Sequence, residues 1–496
     1  MPIASRWNRL SASLTGALIA LCPGCGGDQM AGIEGSGAPV ASSVVTTGRI
    51  TGFGSIIVDG VEYATSDATI RIDDQPGTEA QLHIGDIVTI EGALDAAGVQ
   101  GTARDVSFKA DARGTVSQVD AAAGTFVVLG QTVAVDNDTI FDAALQASDL
   151  TELPPSVPVQ VSGFRDATGT LLASRIDPAA TSDLQVKGRV EALDATAHTF
   201  RIGALTVDYT TAAISGSLAS GSKVTARGTT QAATGALLAS QVQVESAGPG
   251  GGRGAADATR QLEGVITRFA SNSDFDVDGE RVTTDSATQF VLHDATLGPN
   301  VRVKVLGKLD SAGALLASTV EVKGKGKGNG SGSGSGGGPA SAGPIAGIAR
   351  GPVDSVSSSA GTLTVLGIVA RASDDTALED RSDAKVKAFR LSDVRTGDYV
   401  EVRGDFAEGA IDATLVKRDK PETHSYLQGV AGNLAAPTFT LLGVTITTSP
   451  QTDFKGPGGV KTASDFFAAA AGKTVKVRGM LNGSTFEADQ VQLMSK

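Results

Sequence analysis

Cysteine is nearly absent from this 496-residue chain. Only Cys22 and Cys25 occur, both close to the start, so the remaining sequence has no disulfide, no zinc–thiolate cluster and no thiol catalyst. Aromatic residues make up only 4% of the chain. The single tryptophan is Trp7, and the four tyrosines are Tyr63, Tyr209, Tyr399 and Tyr426. That leaves little stacking surface for bases or sugar rings. The four histidines, His83, His198, His293 and His424, are scattered without metal-ligand spacing. No G-x-S-x-G elbow occurs, and no glycine-rich segment joins a strand to a helix as a phosphate loop does. Positive charge is scarce too. The formal net charge is −13, which disfavours a phosphate backbone, whose binding depends on cationic neutralisation. The one basic stretch, VKGKGKGNG at 322–330, reads as a solvated linker. Nucleic acid is therefore not an expected partner, no cofactor is expected, and an enzyme is not expected.

The amino terminus reads as an export signal. Arg6 and Arg9 precede an apolar stretch from about Leu14 to Leu21, too short to span a bilayer, and small residues follow. The segment LCPGCGG resembles a bacterial lipobox. That resemblance implies lipidation of Cys25 after cleavage behind Gly24, although Cys22 stands where the motif prefers an aliphatic residue. Several acyl chains on one cysteine give a durable membrane tether. The expected location is the cell envelope: an exported, membrane-anchored lipoprotein in the outer membrane and periplasm or at the cell surface. Residues 1–25 are then the signal peptide with its cysteine, and 26–46 a flexible spacer.

Glycine, at 63 residues, is what the chain has in plenty, and it recurs in a pattern. A V-x-V-x-G string, or a near relative, ends at Gly92, Gly163, Gly228, Gly307, Gly404 and Gly479. About ten residues later each copy has an alanine and, three further on, an apolar residue, from Ala103/Val106 to Ala488/Val491. Each unit opens on a glycine followed by alternation, as in Gly48-Arg-Ile50 and Gly264-Val-Ile266, and a hairpin such as FVVLGQTVAV at 126–135 comes next. Alternating apolar residues specify half-buried strands, and the hairpin glycine supplies positive φ. Three strands, an irregular or briefly helical stretch and two more strands give the order of an OB-type barrel. In this reading the last glycine of the V-x-V-x-G string ends strand four.

The fold class expected is all-β with short helices: six tandem small five-stranded OB-like β-barrels joined by Gly-rich linkers. The copies are 47–110, 111–180, 184–246, 260–323, 348–420 and 424–496, with linkers at 247–259 and 324–347. These motifs resemble the bacterial domain-of-unknown-function family numbered 5666, found in exported proteins and often in tandem. The resemblance runs over nearly all of 47–495 and is best in copies 1, 5 and 6. Copy 2 replaces the usual glycine with PPSVPVQVSG, and copy 3 is short. It implies a fold and no substrate. Linker lengths predict a beaded chain: copies 1–3 as one block, copy 4 as a separate mobile bead, and copies 5 and 6 as a second block. The Gly/Ser run before copy 5 spans about 27 Å root-mean-square.

One acidic constellation stands out. In DFDVDGERVTTD, Asp274, Asp276, Asp278 and Asp285 match part of a calcium-loop pattern. The same stretch is the hairpin of copy 4. Phe275 and Val277 alternate inward, Arg281 stands where an apolar residue is usual, and the aspartates are expected at solvent. Acid-rich loops at 73–79 and 373–383 read as solvated. The functional expectation is a non-enzymatic, lipid-anchored envelope protein acting as a spacer or adaptor through weak multivalent binding. Its partners would be the membrane and an envelope protein or polysaccharide. The alternative is a periplasmic or surface module binding polysaccharide, peptide or a divalent cation.

Overall fold

A computed structural model describes residues 42–494 apart from 96–97, 137, 148, 246–256, 294 and 324–344. The expected signal peptide, Cys25 and most of the spacer and of both Gly-rich linkers lie outside the described residues. Residues 42–46 of the expected spacer, and 259 and 345–347 of the expected linkers, are instead the beginnings of first strands, which start earlier than the glycine pattern indicates.

Copy 1 shows the plan. Its strands are Ser42–Gly52, Ile56–Val58, Val61–Ala64, Ile87–Leu94 and Gln100–Phe108. Strand one pairs antiparallel with strand two, two with three, and four with both five and one, while three runs parallel to five. The cyclic order is 1-2-3-5-4-1, so the sheet closes and leaves no free edge. A second piece of strand three, Thr69–Ile72, continues the parallel pairing along strand five. The other five copies repeat this closure, with strand one broken at Val190 in copy 3 and at Ala431 in copy 6.

The sequence periodicity is the barrel interior. Val106, Ile176, Val242, Val320, Val416 and Val491 are each fully buried. So are Ile56, Phe126, Phe200, Phe275, Leu363 and Phe439, which stand three residues before the hairpin turn. Burying one such side chain is worth about 1.5–3 kcal/mol, and this supplies most of what a short-stranded unit has. In five copies the turn is a residue with positive φ followed by glycine, from Asp59-Gly60 to Leu442-Gly443, as a two-residue type I′ hairpin requires.

The glycine that closes the V-x-V-x-G string does not end strand four. Strand Ile87–Leu94 runs through Gly92, and Tyr399–Ala407 runs through Gly404. In all six copies this glycine sits at a β-bulge opposite the recurring alanine, as in Gly92↔Ala103 and Gly404↔Ala413. A Cβ at Gly404 would lie 2.0 Å from the carbonyl oxygen of Asp412, and at Gly92 2.2 Å from that of Thr102. Bulges sharpen the local twist, and a small barrel needs that twist to close. Steric exclusion, not strand termination, therefore fixes the glycine.

The barrels do not form a beaded chain. Strand one of copy 1 pairs in parallel with strand one of copy 4, from Val44↔Thr259 to Thr47↔Leu262. Copies 2 and 3 join through their first strands, as do copies 5 and 6. Three two-barrel sheets result, and residues 41–496 form one compact unit. Copy 4 is thus paired with copy 1 across two intervening barrels. Linker length bounds how far a bead can travel. It says nothing about which outer strand it fits.

Candidate functional site

Charged residues at outward strand positions and in turns meet between barrels. Copies 2 and 3 share one hydrophobic core, and so do copies 5 and 6. The pair formed by copies 1 and 4 is joined differently. Glu263 of copy 4, 2% exposed, accepts the backbone N–H of Arg49 at 2.8 Å and holds Arg302 through its other oxygen. Burial opposes its ionisation, yet Arg302 and Arg49 keep its carboxyl below the ordinary range. Asp59 of copy 1 lies in the same junction, where Gln261 donates to it at 3.1 Å.

A cleft of about 690 Å³ lies where copies 2, 5 and 6 meet. Copy 2 supplies the helical turn Ala143–Leu145 and the loop after it; copies 5 and 6 supply strands. Its floor is Glu401, almost fully buried, on strand four of copy 5. Arg403 binds Glu401 directly, Lys417 stands 3.2 Å away and Arg350 3.7 Å away. Burial alone would raise the carboxyl, but these three cations hold it well below the usual carboxylate range. Lys417 is pushed down by burial and by Arg403 in spite of Glu401. The local balance is then shared with Asp419, 3.5 Å from both Lys417 and Arg350. Arg350 lies between two phenol rings, 5.6 Å from the centroid of Tyr399 and 5.5 Å from that of Tyr426, a cation–π arrangement. It also pairs with Glu422 at the rim.

The cleft walls are tied together. Arg403 donates to the carbonyl of Thr139 at 3.0 Å, Arg381 to that of Phe141 at 2.8 Å, and Lys476 to Asp149 at 3.1 Å. Chemically the cleft offers paired charges around a shielded carboxylate, with Lys420 and Glu422 at its mouth. Rim pairs of this kind can be exchanged for the charges of a partner at little cost, because exposed ion pairs contribute about 0–1 kcal/mol.

The sequence-expected acidic constellation is not brought together. Asp274 and Asp276 both bind Arg268, at 2.7 Å each. Asp278 occupies the first hairpin-turn position and reaches Lys223 of copy 3 at 2.6 Å, so it faces a neighbouring barrel and not solvent. Burial opposes its charge, but Lys223 and Lys187 lower its pKa. Asp285 starts a separate turn, where its backbone N–H donates to Thr288.

Sequence reasoning missed Arg175, Glu263, Glu401, Arg403 and Lys417. The available signal was charge at outward strand positions, as in EVRG at 401–404 and LVKRD at 415–419. A solvated strand face reads the same way.

A family model described as "Domain of unknown function (DUF5666)" matches residues 44–107, 113–177, 187–243, 263–326, 350–417 and 428–492. The chain belongs to that family. Each matched DUF5666 segment corresponds to one closed barrel, beginning within or next to its first strand and ending in or just after its fifth. The residues that build the cleft differ between DUF5666 copies. The positions of Glu401, Arg403 and Lys417 are held in copy 1 by Thr89, Glu91 and Ser107, for example. A search of curated proteins finds no match to the chain.

Proposed function

We propose that this chain is a non-enzymatic, lipid-anchored protein of the cell envelope, tethered at Cys25, in which six barrels form a compact spacer or adaptor. The observation that supports this most is how the barrels use their surfaces. The repeated positions fill barrel interiors, and copy-specific charged positions outside them grip other barrels or line the charged cleft. A body built this way presents one composite surface to a partner. Binding by several independent flexible modules is correspondingly disfavoured.

The experiment immobilises the full chain and passes envelope extract and a polysaccharide panel over it. Parent protein is compared with the double variant Lys420→Glu, Lys476→Glu, which reverses charge at the cleft. Retention of an envelope protein by the parent and its loss by the variant is the expected result. Retention of a polysaccharide alone replaces the adaptor reading with a glycan-binding one, and equal retention by both chains removes the cleft from it. In parallel, Cys25→Ala is expected to move the protein from the membrane fraction to the soluble fraction. A variant that stays with the membrane contradicts the tether.

A further inference from the structure

A second polar cluster lies apart from the cleft, at the junction of copies 1, 2 and 5. The loop entering strand four of copy 1 carries His83 and Asp86, and strand five of copy 2, Leu171–Pro178, carries Asp177. Asp86 is 0% exposed. Its Oδ2 accepts the backbone N–H of His83 at 2.8 Å, and its Oδ1 has no hydrogen-bond partner. The His83 side chain is partly exposed, but its Nδ1 is turned inward, buried and also without a partner. That nitrogen stands 3.7 Å from Asp177 Oδ1 and 3.9 Å from Asp86 Oδ2. One donor atom from each of the three residues lies within 4.8 Å of the others.

Buried polar atoms are nearly always satisfied, so two orphans within one three-residue cluster need a cause. The surroundings supply an electrostatic one. Arg175, 1% exposed, donates to Asp177 and Asp142 at 2.7 Å, and Glu379 of copy 5 approaches it to 3.8 Å. Arg381 pairs with Glu379 at 3.0 Å, and the second oxygen of Glu379 is a further buried orphan. Asp86, Asp142, Asp177 and Glu379 thus face two guanidiniums, and the locality is short of positive charge.

We propose that His83, Asp86 and Asp177 form a binding site for one divalent transition-metal ion, zinc or manganese, which clamps copy 1 to copy 2. Imidazole suits zinc, and carboxylate oxygen suits manganese. Metal–ligand bonds of about 2.0–2.2 Å separate donors by roughly 3–3.5 Å. The nitrogen–oxygen pairs, at 3.7 and 3.9 Å, need to close by about 0.2–0.9 Å, and the three donors already lie within 4.8 Å of one another. Arg175 is the outer partner that orients Asp177, as ligating carboxylates commonly require.

The test uses the full chain in mild detergent, stripped with chelator and titrated calorimetrically with Zn²⁺ and separately with Mn²⁺. One ion per chain and a higher melting temperature are expected. His83→Ala removes a partly exposed ring that makes no hydrogen bond through Nδ1. It is expected to keep the metal-free melting temperature and to weaken binding by about tenfold or more. Co²⁺ added to the parent gives a second readout independent of any variant: ligand-field bands distinct from those of the aqua ion. Absence of uptake of either metal, unchanged affinity in His83→Ala, or an unaltered Co²⁺ spectrum would each overturn the site.

Discussion

Asp59 serves two ends at one position. As the first residue of the hairpin turn in copy 1 it takes φ 52°, which Asp and Asn tolerate better than most residues. As part of the junction with copy 4 it is buried beside Glu263. Burial first, and Glu263 second, push its carboxyl up to about 7. The consequence for stability has a definite sign. Below about pH 4 the group is protonated in folded and unfolded chain alike. As pH rises from 4 towards 7 the unfolded chain gives up the proton while the folded chain retains it, so stability falls across that window. Asp59→Asn keeps the turn and removes the charge. The variant is expected to exceed the parent by about 1–3 kcal/mol at pH 8, with the difference vanishing near pH 4. Urea denaturation at the two pH values measures it, and a difference independent of pH would show that Asp59 acts through packing alone.

Between the two pieces of strand three the barrels repeat a small device. In copies 2, 4, 5 and 6 a threonine hydroxyl, at 139, 288, 376 and 452, accepts the backbone N–H of the residue three before it. It then donates to the carbonyl of the bulge-facing alanine on strand five, at 2.6–2.7 Å. The turn is thereby fastened to the strand whose bulge shapes the barrel. Thr376→Val keeps the volume and removes both bonds, leaving the Ala413 carbonyl short of a donor. A loss of about 1–3 kcal/mol is expected in urea unfolding, and a neutral result would make the turn incidental. Ala68 and Ala212 fill this position in copies 1 and 3, so the device was not apparent from the alternation of residues. Strand pattern and hairpin turns were legible because the interior imposes the same demand on every copy, as at Val106 and Val416. The meaning of Gly92 was not: an end and a bulge both ask for glycine, and only the opposite carbonyl of Thr102 distinguishes them. Arg175 and Glu401 were illegible for a further reason. An outward strand position is buried or solvated according to which barrel stands against it, and nothing local in the sequence names that neighbour.

At the scale of the molecule, connection and contact are different graphs. Copies 3 and 4 are adjacent in sequence and touch through Lys223 and Asp278, yet copy 4 forms its sheet with copy 1. Copies 4 and 5 are joined through residues 324–344, while copy 5 is held by copies 1 and 2. Lys387 donates to the carbonyl of Glu79, Arg390 pairs with Glu62 at 3.0 Å, and Thr414 donates to Asp138 at 2.6 Å. The apolar contribution points the same way, since Ile140 of copy 2 and Ala377 and Leu415 of copy 5 belong to the core built around copy 1. These contacts are independent of the covalent link between copies 4 and 5. A specific protease site placed within residues 324–344 therefore gives a decisive measurement. After cleavage the fragment holding copies 1–4 and the fragment holding copies 5 and 6 are expected to co-elute in gel filtration, with the scattering radius of the parent. Arg403→Ala together with Arg381→Ala removes two of the guanidiniums that reach the carbonyls of copy 2, and in that background the cleaved pair is expected to separate at lower protein concentration. Fragments that part at once in the parent would restore the picture of beads on a thread, and with it binding by separate modules.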